Sequence, residues 1–321
     1  MAGGCEIVAG LSQSDRRKTR RGAGLRSHMV SLGFLEDFEV RRWLNGIEPA
    51  WTLLDFDSFN ALHDEPSANN QAIRLEPNLT SEEIADSAVT ANALLLLRRA
   101  QETEGLKLTD TGNLSRALVL EMCGLIDWPD YDKDELFRYN IINEPDFFPL
   151  HFIRILAQTA KLLRTHRGKL AATPSGRRIL KADQHGPLQA LLFHVAFWRL
   201  NLGYFDRYAL DTWPQNEVGV VLWSLSASAH DWLPRETLTR LYASPVIGIL
   251  ESQWDVGSSA MEARILRPLW WFGLLEARSE ERSATDLVTR RLYRKTPLFD
   301  RFVAVRDDKG QKGFAANLGP G

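Results

Sequence analysis

From Phe147 to Ala182 the sequence FFPLHFIRILAQTAKLLRTHRGKLAATPSGRRILKA contains no Asp or Glu. The same window holds Arg154, Lys161, Arg164, Arg167, Lys169, Arg177, Arg178 and Lys181, together with His151 and His166. Guanidinium and ammonium groups gathered without counter-charges suit an anion, and the planar fork of Arg matches a phosphate especially well. His151, Arg154, Gln158 and Lys161 are three or four residues apart, so they share one face of a helix. Such a face can enter a nucleic-acid groove while Arg164, Arg167 and Lys169 on a following hairpin meet phosphates. Arg177, Arg178 and Lys181 carry the charge onto the next helix. The competing reading is that this face docks on an acidic neighbour, in the same chain or on a partner.

The elements around these residues can be read locally. FFPLHFIRILAQTA is a helix with Pro149 in its first turn, where a missing N–H does no harm. KLLRTHRGKLAAT breaks the helical period and reads as two short strands around Arg167-Gly168. Thr173 then caps a new helix, Pro174 takes its first position, and Gly176 lets the turn approach a neighbour. Helix, hairpin and Thr-capped helix make a winged-helix arrangement. A similar order recurs later: a helix from Pro214 to about His230, a short helix over 233–243, a third over 258–273 kinked at Pro268, and a hairpin over 274–296 before Pro297. Between the two, PLQALLFHVAFWRLN is apolar nearly all round and should lie buried between domains.

Upstream, Thr80 and Glu83 fit a capping box for a helix over 81–103, with Gly105 as its stop. KLTDTG precedes an apolar helix near 114–125 but lacks an evident partner strand. Residues 29–64 read as folded without a clean period, and 67–78 as a polar linker. The expected fold is mostly α, with two or three winged-helix-like units carrying short β-hairpin wings. Its segments are a disordered basic arm or a mis-assigned start over 1–28, an N-terminal region and linker over 29–78, units over 79–183 and 184–303, and a disordered tail over 304–321.

Composition narrows the function. The chain is 44% hydrophobic and 25% charged, an ordinary globular mixture. Its net charge of −2 hides a split, because residues 1–28 carry six of the basic side chains against Glu6 and Asp15 alone. The body is therefore more acidic than the whole, which makes the basic window a local reversal of sign. Two cysteines, Cys5 and Cys123, cannot form a disulfide framework, and no secretory segment or membrane-spanning run is present, so a cytoplasmic location is expected.

Catalytic and metal motifs fail on inspection. DYDKDE at 130–135 imitates a calcium loop, but Glu135 stands where glycine is needed and Ile141 where the bidentate Glu belongs. His185 and His194 are nine residues apart, too wide for a helical ligand pair, and His230-Asp231 is an isolated pair. Cys123 lies in an apolar helix, and the ten tryptophans read as packing residues. With no nucleotide loop or nucleophile elbow, no enzyme, metal or cofactor is expected.

GLKLTDTGNLSRALV, NEPDFFPLHFIRILAQTAKLLRTHRGKLAATPSGRRIL and the later FGLLE and RRLYRKTPLFDRF resemble a group of uncharacterised bacterial plasmid- and transposon-associated proteins, the Ri-plasmid open-reading-frame-three-like family. The resemblance implies the helical, winged part of that family only; its β-rich domain with a Pro-Pro-x-Trp-Arg stretch is absent. Some members are labelled resolvases, but nothing here matches a serine-recombinase site. The expected function is thus a non-enzymatic winged-helix protein binding DNA or RNA through 147–182. The alternative is an interaction or scaffold protein, or a homodimer, whose wings pack on each other or on a partner.

Overall fold

Helices dominate, and among the described residues every strand is five residues or shorter and pairs antiparallel. The computed structural model describes residues 35–136, 141–181, 184–280 and 290–306. The expectations for 1–28, for the hairpin tip at 281–289 and for residues beyond 306 lie outside them. The chain divides into two units, Met1–Ile47 and Glu48–Gly321. In the first, Asp37 caps α1 (Phe38–Leu44) by accepting from the Glu39 and Val40 amides, and Asn45 ends it in the left-handed region.

The larger unit opens with a 3-10 turn at Ala50–Leu53 and α2 (Phe56–His63), capped by Asp55. Residues 67–78, expected as a linker, hold β1 (Ile73–Leu75) instead. Alternate apolar side chains and a distant partner strand make this segment part of the fold, which polarity alone did not reveal.

The Thr80–Glu83 capping box forms, with Glu83 N–H donating to Thr80 Oγ1 at 3.2 Å and Thr80 N–H to Glu83 Oε2 at 2.8 Å. It closes only a turn. The helix itself, α3 (Ala88–Glu102), starts later under a Ser87 cap. Gly105 ends it at φ 105°, its N–H donating to Ala100 O. Then follow β2 (Leu106–Lys107), α4 (Arg116–Leu125), α5 (Lys133–Leu136), α6 (Phe148–Thr159), β3 (Leu163–His166), β4 (Lys169–Ala172) and α7 (Pro174–Ile179). The sheet order is β2-β4-β3. KLTDTG therefore starts no unit of its own; Leu106–Lys107 is the third strand of this one, paired with Leu170 and Lys169.

Next, α8 (His185–Trp198) is buried as its all-apolar surface requires. The same architecture then repeats: α9 (Val218–Ser228), β5 (Leu233–Pro234), α10 (Arg235–Tyr242), α11 (Ile247–Leu250), α12 (Val256–Met261), a π-helical turn at Glu262–Leu266, α13 (Arg267–Trp271), β6 (Leu275–Ser279) and β7 (Arg291–Lys295), in sheet order β5-β7-β6. The wide turn sits just before Pro268, whose ring and missing N–H a regular turn cannot serve. The chain ends its described part with α14 (Pro297–Phe302) and β8 (Val303–Val305), which pairs with β1. Val303–Val305 thus extends structure into the stretch expected as tail.

The repeat holds down to single hydrogen bonds. After α6, Lys161 turns left-handed at φ 58°; after α13, Gly273 does so at φ 76°. Thr173 donates its hydroxyl to Lys161 O and its N–H to Leu162 O. Thr296 does the same to Gly273 O and Leu274 O. In each case the threonine ties the end of the hairpin back to the helix that precedes it. Thr173 also caps α7 through the Gly176 amide at 3.0 Å, whereas Thr296 makes no such cap. Gly176 is required: a Cβ there would stand 2.3 Å from Leu162 O.

Between the two helical units, α8 supplies both the apolar and the polar contacts. Phe193 meets Phe272 and Phe302 edge-on at 5.2 Å. Gln189, fully buried, accepts from Ser87 and Thr90 through Oε1 and donates from Nε2 to Phe272 O. Every polar atom of its amide carries a bond, which is what burial demands.

Candidate nucleic-acid interface

The basic window separates into an inner and an outer set. The inner set is on α6. Glu144, in the 3-10 turn Glu144–Asp146, is completely buried. Arg154 Nη1 donates to its two oxygens at 2.7 and 2.5 Å, His151 Nδ1 lies 3.0 Å from Oε1, and the Leu114 amide donates at 2.6 Å. Arg154 also donates to Gly112 O and to Gln158 Oε1. Burial pushes the Glu144 carboxyl up, but the bonds from His151, the Leu114 amide and Arg154 outweigh it and hold its pKa below the ordinary value. His151 and Arg154, expected to reach into a groove, are instead committed to an acid within the chain, and Gln158 accepts from Arg154.

The outer set runs from the turn after α6 through the hairpin to just past α7; Lys161, expected on the helix face, lies beyond the helix end at Thr159 in a left-handed turn. Lys161, Arg164, His166, Arg167, Lys169, Arg177, Arg178 and Lys181 are all exposed. Among the described residues none of them meets a carboxylate; Arg177 donates to Ala172 O. The register places Lys107 opposite Lys169 and Lys169 opposite His166, so three basic side chains stand in a row across three strands. Arg164, opposite Ala171, lies on the same face by the two-residue alternation of a strand. Lys107 falls outside the acid-free window and was missed in the sequence; only the pairing of β2 with β4 brings it in.

On the second hairpin three of the described basic side chains are paired with acids. Arg294 pairs across the strands with Glu276 at 2.8 Å, Arg291 with Asp130 at 2.5 Å, and Lys295 with Asp300 at 2.8 Å. Arg278 and Arg294 cover the Trp232 ring at 4.4 and 4.7 Å from its centre. Glu262 gathers Arg235, Arg291 and Tyr293. Asp130, the first residue of the calcium-loop imitation, is one anchor of this network and forms a looser ion pair with Arg267 at 3.6 Å.

Other candidates find local partners. His194 Nε2 lies 2.8 Å from Glu65, which also bonds Arg199. Cys123 is buried in α4. Among the described residues no His, Cys, Asp and Glu cluster could hold a metal, and no helix is long and apolar enough to cross a membrane. A cleft of about 840 Å³ between the two helical units is lined by Trp232, Trp270, Leu125, Asp86, Asp127 and Glu276, with no Ser, Cys, Lys or His on its walls.

The class defined by this geometry is a mostly α protein of two repeated helix-and-hairpin units, one with an unneutralised basic hairpin. Residues 85–186, which cover the first unit, match the Y4jL N-terminal domain family. An uncharacterised protein, y4jL of Sinorhizobium fredii, is 31% identical over 86 residues, covering 26% of this chain and 39% of that protein. The match is to this uncharacterised family and not to the Ri-plasmid group that the sequence resembles. No solved structure matches the chain.

Proposed function

We propose that both units are winged helices and that the first binds DNA or RNA by phosphate contact through its wing. The observation that carries this reading is the row Lys107, Lys169 and His166 with Arg164 beside it, exposed and without acids. Like charges directly opposite on a sheet destabilise it, and an anionic backbone laid across the row would relieve them. Because His151 and Arg154 are committed to Glu144 and Gln158 to Arg154, base readout by that helix falls out of the proposal. Binding should be largely indifferent to sequence. The activity is non-enzymatic and cytoplasmic, and the association with mobile elements belongs to the same proposal.

The test is fluorescence anisotropy with random duplexes over a range of salt. About three to five phosphate contacts give a slope of log affinity against log salt of roughly −3 to −4.5. Reversing Arg164 and Arg167 to Glu should weaken all duplexes alike and flatten that slope. Absence of binding at low salt, with the fold intact, rejects the proposal. A protein partner is then the better reading, favoured by Ile247 and Trp254, which stand 72% and 83% exposed on the second unit.

A further inference from the structure

Next to the N-terminal half of α6, the 3-10 turn Leu202–Phe205 presents Tyr204 to solvent at 66% exposure. The turn is firmly seated. Leu202 is buried, and Phe205 packs edge-on against Phe148 and Phe152 at 5.9 and 5.3 Å. Tyr204 rests edge-on against Phe205 at 5.2 Å and tilted beside His151 at 6.4 Å. Around it, Arg207 and Tyr208 are exposed, while the Asp206 carboxylate is taken up by the buried Arg264 through two bonds of 2.7 and 2.9 Å.

A chain of contacts connects this ring to the wing. The wing turn is bonded to β2 through Leu108 N–H and Gly168 O, and the following loop is bonded to α6 through Gly112 O and Arg154. Arg154 and His151 share Glu144, and His151 adjoins Tyr204. The eight residues from His151 to Thr159 span about 12 Å along α6, and the turn at Lys161 leads from there into the wing. Asp110 is the one exposed acid on the loop between them.

We infer that Tyr204 is a stacking platform for a nucleic-acid base, and that the preferred ligand of the wing face is therefore single-stranded DNA or RNA. This rests on the phosphate-binding reading of the wing. A rigidly mounted aromatic ring beside a cationic track is the arrangement that holds single strands, because every base has a face to stack and an unpaired base can reach it. A duplex keeps its bases stacked on each other and meets only the cations.

The experiment measures anisotropy of the full chain with a short oligothymidylate and with a duplex of equal length, at low salt. Tyr204→Ala should weaken oligothymidylate by about 5- to 150-fold and leave the duplex unchanged. Tyr204→Phe, which keeps the ring, should bind as the parent does. If Tyr204→Ala leaves oligothymidylate binding intact, or weakens both ligands equally, the stacking role is overturned while wing binding stands. If the parent chain binds neither ligand, the wing reading fails first and this inference with it.

Discussion

Arg154 grips Glu144 from ten residues downstream, its Nη1 bonding both oxygens of a carboxylate that has no exposed surface. The pair turns one of the groove-reading candidates of the sequence into a structural residue. Removing one partner would leave the other charge buried and alone, which typically destabilises by about 3–5 kcal/mol. Arg154→Ala should therefore lower the denaturant midpoint strongly. Measured below that midpoint, its nucleic-acid affinity should match the parent's. Loss of discrimination between sequences without loss of stability would restore the groove-reading role.

The same carboxylate predicts acid sensitivity. Its folded pKa is depressed, so its contribution is present above the unfolded value and is lost as pH falls through the folded one. Glu144→Gln should be destabilised at neutral pH, and the gap to the parent should narrow as pH falls below about 4, near the ordinary carboxylate value. Urea melts at several pH values measure the gap directly.

Glu217 has the opposite sign. It is buried, accepts from the Ser244 amide at 2.9 Å, and burial pushes its pKa up to about 7 against the lowering effect of that bond. A raised group contributes fully below its unfolded pKa and loses that contribution as pH rises through the folded value. Between an unfolded value near 4.5 and about 7, the loss is on the order of 3 kcal/mol. Glu217→Gln keeps an acceptor for Ser244 without the charge. It should be more stable than the parent at pH 8 and show a flatter stability profile across that window.

Thr173 carries two bonds, not one. Its oxygen caps α7 and its hydroxyl donates to Lys161 O at 2.8 Å. Thr173→Ala should cost about 0.5–2 kcal/mol for the cap and more for the orphaned carbonyl. Thr173→Asp, a sound cap on sequence grounds alone, cannot donate and should be destabilised too, whereas Thr173→Ser should stay close to the parent. Thermal melts of the three variants decide it.

Local signals were legible where one segment determines one element. The period of 147–160, the Arg167-Gly168 turn and the Thr173-Pro174 cap all appear where the residues place them. Long-range pairings were not. Nothing in LKLTDTG announces Leu170 as the partner of Leu106, and nothing in QAIRLEPN announces Val303–Val305. The basic face was found because eight cations without an acid stand out in one dimension. Its division was hidden, because Glu144 lies only three residues before the window yet its burial depends on where α6 and Leu114 meet it.

The pairing of Ile73–Leu75 with Val303–Val305 also sets a timetable for biosynthesis. A ribosome adds about 5–20 residues per second, so β1 waits on the order of tens of seconds for its partner to be made. Through that interval Ile73, 2% exposed in the finished protein, has no strand beside it. The strand that joins the early and late parts of the chain is thus synthesised after both helical units, and an early stop before Val303 would leave the β1 edge open to other chains.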